Sequence, residues 1–90
     1  MSMFGDVNIL EQELFKLLEY SFIYAEERNL PKLSVALEAM RQLDSEYSEI
    51  TKKKFINPEA FQRLITAKEN LRASFDKDQK ELNEIIKRIK

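Results

Sequence analysis

Ninety residues make one domain at most, and a chain this short buries only about 60–65% of the surface its unfolded form exposes, so its core is thin. It has no cysteine and no histidine, which excludes disulfide frameworks, zinc fingers, phosphorelay histidines and Ser-His-Asp or Cys-His nucleophile systems. The net charge of −1, from 15 basic and 16 acidic residues spread along the chain, is not that of a nucleic-acid-binding domain.

The longest apolar run, Phe22 to Ala25, is far too short to span a bilayer. The N-terminus shows no basic start followed by an apolar stretch, so a cytoplasmic location is expected. One glycine and two prolines make a helical composition. Gly5 lies in the leader MSMFGD, which reads as a loose end. Pro31 and Pro58 divide the rest into three segments, and each is expected to mark a helix start, because proline is tolerated in the first turn and disfavours helix in the residue before it.

The first helix is expected over residues 7–28, with Asp6 as N-cap and Asn29 as its C-terminal stop. At 100° per residue Leu10, Leu14, Leu17, Leu18, Ser21, Tyr24 and Ala25 share one face. Phe15 and Phe22 sit at its edge, and Ile23 falls within the charged face opposite. The second helix is expected over 31–53, with Leu33, Ala36, Leu37, Met40, Leu43, Tyr47 and Ile50 as its stripe and Asp44 beside it. The break KKKFINPEAF follows, where Asn57 is a good N-cap with Pro58 at the first helical position.

The third helix is expected over 58–88. Positions 61, 64, 68, 71, 75, 78, 82, 85 and 89 are spaced by threes and fours without a slip. All are apolar except Lys68 and Asp78, which makes a coiled-coil seam with two polar interruptions. Short loops join antiparallel neighbours, so the expected fold is all-α: an up-down-up three-helix antiparallel bundle with an extended C-terminal helix and crossing angles near ~20°.

The lengths do not match. At 1.5 Å per residue the first two helices span roughly 33 Å each and the third roughly 46 Å, so the third should outrun the turn at Pro31 by about eight to ten residues. That stretch carries Leu82, Ile85, Ile86 and Ile89. Four fates are open to it: packing on residues 26–33 and the leader with Met3 and Phe4, folding back at a kink, pairing with a second copy, or receiving another protein. Phe15, Phe22 and Ile23 form a second candidate contact patch on the first helix.

The remaining constellations point to solvated surface. Lys52, Lys53 and Lys54 complement the negative end of the second helix. Neighbouring carboxylates such as Glu26 with Glu27, or Asp76 with Asp78, have no evident cleft in which their pKa values could diverge. Pairs such as Asp76 with Lys80 and Glu84 with Arg88 stand at helix-surface spacing. The small helical chorismate mutases need arginines and lysines converging in a bundle core. Here Arg28, Arg41, Arg63, Arg72 and Arg88 lie mostly off the apolar faces. One glycine cannot build a P-loop or a dinucleotide loop. The reading is therefore a non-enzyme with no cofactor and no metal.

In helix order and spacing, LEQELFKLLEYSFIYAEERN, then NLPKLSVALEAMRQLDSEY, then NPEAFQRLITAKENLRASFDKDQKELNEIIKRIK resembles the FliT-type flagellar export chaperones. Leu30, Leu33, Leu37, Arg41 and Leu43 carry the likeness in the second segment. The resemblance implies a cytoplasmic chaperone that holds a flagellar or type III secretion subunit on hydrophobic surface of the bundle, with the C-terminal helical end regulating access. The alternative reading of the same seam is a structural coiled-coil module that forms a homo- or hetero-oligomer with no client.

Overall fold

Residues 7–89 are described by a computed structural model; Met3, Phe4, Gly5 and the expected cap Asp6 lie outside the described residues. Among the described residues there are three helices, α1 (Val7–Glu26), α2 (Leu30–Thr51) and α3 (Pro58–Ile89), and no strand. The order of contacts gives their directions. Tyr47, late in α2, donates from its hydroxyl to Glu11, early in α1, at 3.4 Å. At the other end Lys32 sits 5.8 Å from the Tyr24 ring centroid. Arg41 lies 5.8 Å from the ring of Phe61, early in α3, and Arg28 in the α1–α2 turn donates to Ser74 at 2.8 Å. The chain therefore runs up, down and up.

The core follows the stripes. Leu10 and Leu14 of α1 meet Leu33, Ala36, Leu37, Met40 and Tyr47 of α2, and α3 adds Leu64. Leu14, Leu33 and Met40 have no exposed surface, so the α1–α2 seam is the driest part of the molecule. Ser21 is also fully buried, and its hydroxyl is satisfied by the Leu17 carbonyl at 2.7 Å. Ile50 departs from its expected place in the stripe and is exposed, because α3 begins nearer the middle of α2 and leaves its last turn uncovered.

The turn between α1 and α2 also differs from expectation in detail. α1 ends at Glu26, and the left-handed residue is Arg28 (φ 59°), not Asn29. The Arg28 amide donates to the Ala25 carbonyl at 3.2 Å and the Asn29 amide to the Tyr24 carbonyl at 2.9 Å, the paired bonds of a Schellman end. This frees the Asn29 side chain, which accepts from the Lys32 amide at 3.3 Å and caps α2. Two adjacent residues thus close one helix and open the next, which is why the turn is so short.

The second connection sets the geometry of everything after it. Lys52 ends α2 in the left-handed region, φ 62°. The chain then folds back along α2 to Asp44, which is buried. One carboxylate oxygen of Asp44 accepts the backbone amides of Phe55 at 3.0 Å and Ile56 at 3.1 Å; the other lies 3.6 Å from the Lys54 ammonium. Ile56 is drawn into the core. Phe55 packs edge-on against Phe15 at 4.9 Å and Tyr47 at 5.5 Å. Pro58 therefore starts α3 beside Asp44, about two turns short of the end of α2.

That offset changes the expected overhang. α3 draws level with the α1–α2 turn at Ser74, and every residue from Phe75 to Ile89 is exposed. The free stretch is about four turns long, or roughly 22 Å, longer than equal starting levels would give. It stretches the molecule to 65 × 25 × 18 Å.

Asp44→Ala leaves two inward-facing amides without an acceptor, at a cost of about 2–4 kcal/mol. For a chain of this size that lowers the melting temperature by about 10–20 °C, measurable by circular dichroism. Asp44→Asn, which keeps an acceptor oxygen, should lose about half as much. An Asp44→Ala variant that melts like the parent would show that the loop holds itself in place.

Candidate functional site

One apolar stripe runs the length of α3, and the bundle covers only its first half. Leu64 is buried, and Phe61 and Leu71 are partly buried against the core. Beyond Ser74 the same face continues bare: Leu82 is 49% exposed, Ile85 52%, Ile86 42% and Ile89 79%. Phe75, at the boundary, is also exposed. At 100° per residue these side chains fall within an arc of about 100°, the width of a normal core-facing stripe. Fully burying a leucine or isoleucine stabilises by about 1.5–3 kcal/mol; roughly half of that is unrealised at Leu82, Ile85 and Ile86, and most of it at Ile89.

The bare stretch has local reasons to stay helical. Asp76 and Lys80, and Glu84 and Arg88, stand four apart in the stabilising order, acid before base. Lys87 and Arg88 in the last turn oppose the negative end of the helix dipole, and Glu59 suits the first turn. α3 is continuous from Pro58 to Ile89, so the fold-back at a kink does not occur. Packing of Leu82 to Ile89 on residues 26–33 does not occur either: the rod passes that turn at Ser74 and moves away from it.

The α1 residues form a separate place. Phe15, Phe22 and Ile23 are all exposed, but Phe15 leans on Phe55 beside the second connection, at the far end of the bundle from the overhang. The structure therefore brings Leu82, Ile85, Ile86 and Ile89 onto one face and leaves Phe15 at the other end of the bundle, with Phe22 and Ile23 in the last turns of α1, before the α1–α2 turn. Between Phe75 and the turn lies a small polar hollow of about 330 Å³, lined by Arg28, Leu30, Leu71, Ser74, Phe75 and Asp78.

A second apolar surface escaped the sequence reading. Leu17, Tyr20 and Tyr24 of α1 and Pro31, Lys32, Val35, Ala36 and Ala39 of α2 line an open groove of about 370 Å³. The Tyr20 and Tyr24 rings stack at 6.0 Å with 15° between their planes. The available signal was the spacing of four between those tyrosines, together with Val35 lying off the α2 stripe.

Among the described residues no group of three or more His, Cys, Asp or Glu side chains stands close enough to hold a metal ion. Arg28, Arg41, Arg63, Arg72 and Arg88 are all exposed and do not converge. No described helix is long and apolar enough to cross a membrane. Comparison of the chain with protein-family models, with curated proteins and with solved structures gave no match.

Two positions on the one stripe separate core from overhang. Leu64→Ala, at 1% exposure, should cost about 2–5 kcal/mol of stability. The double change Ile85→Ser and Ile86→Ser should stay within about 0.5 kcal/mol of the parent when melted at low micromolar concentration. A collapse of melting in the serine variant would return the overhang to the folding core.

Proposed function

We propose that this chain is a protein-binding chaperone or adaptor of the export type, acting in the cytoplasm without catalysis. Its client is an amphipathic helical segment of a flagellar or secretion-system subunit. One observation carries the reading: an apolar stripe that continues out of the core onto about four turns of exposed helix. A helix whose own apolar residues recur at threes and fours matches that stripe and pairs with it side by side, the single rod offering a face and not the apolar groove first expected. Binding removes apolar surface of both partners from water and so suppresses self-association of the client.

The FliT-type likeness of helix order and leucine spacing supports the same reading, since it places client binding on bundle hydrophobic surface and a regulatory part in the C-terminal helical end. Phe15, Phe22 and Ile23 are proposed as an accessory contact for a client long enough to reach α1. The contact residues proposed on α3 are Leu82, Ile85, Ile86 and Ile89.

The test is fluorescence anisotropy with labelled amphipathic peptides taken from the ends of flagellar and secretion subunits. Saturable binding is expected, weakened about tenfold or more by the Ile85→Ser and Ile86→Ser pair, a loss of ~1.4 kcal/mol or more. A smaller loss is expected for Phe22→Ser with Ile23→Ser. Binding that ignores the α3 changes, or no binding by any of the peptides, would overturn the proposal.

A further inference from the structure

We propose that, in the absence of a client, the bare stretch of α3 pairs antiparallel with the same stretch of a second copy, in one register set by Glu81 and Arg88. The pairing uses the surface assigned to the client and does not depend on a client existing.

In the heptad of the seam, Phe75, Leu82 and Ile89 occupy a positions and Asp78 and Ile85 occupy d positions. Glu81 and Arg88 then flank the stripe on one side, at g, and Gln79 and Ile86 on the other, at e. The bundle leaves all of them exposed.

Asp78 argues against a parallel pair. In register, two parallel helices would place Asp78 beside the partner's Asp78 within the seam, with two like charges facing each other as water leaves. An antiparallel pair sets each a position against a d position of the other helix. With Leu82 against the partner's Ile85, and Ile85 against the partner's Leu82, the centre of the overlap is wholly aliphatic. Ile89 then meets the partner's Asp78 only at the two outer ends, where the carboxylate keeps access to water.

The flanks select that register. Antiparallel helices bring g beside g, and here Glu81 lies beside the partner's Arg88. The twofold axis repeats the pair, with Arg88 beside the partner's Glu81. Sliding by one heptad in one direction puts Glu81 beside the partner's Glu81. Sliding in the other direction puts Arg88 beside the partner's Arg88. Of the three, only the central register is complementary in charge. The overlap is about three turns, an interface of the small, transient class, so the dimer is reversible and depends on concentration.

Sedimentation equilibrium of the full chain tests this without any peptide. The parent is expected to show a monomer–dimer equilibrium. Glu81→Lys alone and Arg88→Glu alone should each weaken it about tenfold or more, since each creates two like-charge contacts. An equimolar mixture of the two variants should recover a dimer, because each now complements the other, and the double variant Glu81→Lys with Arg88→Glu should recover it by itself. Circular dichroism establishes that the variants, altered only at exposed positions, are folded. A parent that stays monomeric up to about millimolar concentration, single variants that dimerise as well as the parent, or a mixture that stays monomeric would each overturn the pairing. A monomeric chain that nevertheless takes up one amphipathic peptide would overturn it too, and would leave the client reading standing.

Discussion

The Asp44 carboxylate decides the shape of this molecule. By accepting the amides of Phe55 and Ile56 it turns the chain back along α2 before α3 begins. A charged acceptor shared by two amides that face inward is among the stronger local restraints a small helical protein has, because breaking it strands three polar groups at once. Its consequence is distant. Moving the start of α3 about two turns along α2 moves its far end equally beyond the α1–α2 turn. The exposed stretch is as long as it is because of a contact at the opposite end of the bundle.

The same offset explains how the core is shared. α1 and α2 lie against each other along most of their lengths and supply most of the fully buried residues, Leu14, Leu33, Met40 and Ser21. α3 contributes Leu64 to that set and otherwise lies half-covered along the pair. Lys68, one of the two polar seam residues, sits in the covered half and is only partly buried, a setting in which a lysine can pack its aliphatic stem and keep its ammonium in water. Asp78, the other, falls just past the boundary, exposed at the edge of the hollow that Arg28 also lines. The two interruptions thus stand where the bundle tolerates each.

Much of this was legible in the sequence because it rests on local rules. Pro31 and Pro58 mark helix starts for steric reasons that need no neighbours, and the period of the apolar residues names the buried faces of all three helices. The overhang followed from comparing helix lengths. Its extent did not, since that required knowing that Asp44, read only as a polar residue beside a stripe, would recapture the loop. Ile56 stayed hidden for the same reason: a lone isoleucine in KKKFINPEAF has no periodicity to betray it. Asn29 suits both the end of α1, where it was expected, and the cap of α2, and only the turn's hydrogen bonds show that it takes the second role and leaves the left-handed position to Arg28. The placing of Phe15 against Phe55, away from the α3 residues, is a tertiary fact that helical spacing does not contain.

A single stripe serving two ends of one helix places different demands on its two halves. Up to Ser74 each residue is chosen by the packing of the bundle, and a change of one methylene there is felt as stability. Past Ser74 the side chains are exposed, so the fold makes little demand on them, and on the proposed function they answer to association. Charge carries the discrimination in that half, since its aliphatic residues would accept almost any apolar helix at similar cost. In the proposed pairing Glu81, Asp78 and Arg88 would distinguish one partner, direction and register from another by what they repel as much as by what they attract. On the two proposals, a client and a second copy would compete for the same surface by mass action, and self-pairing would keep the stripe out of water wherever no client is bound.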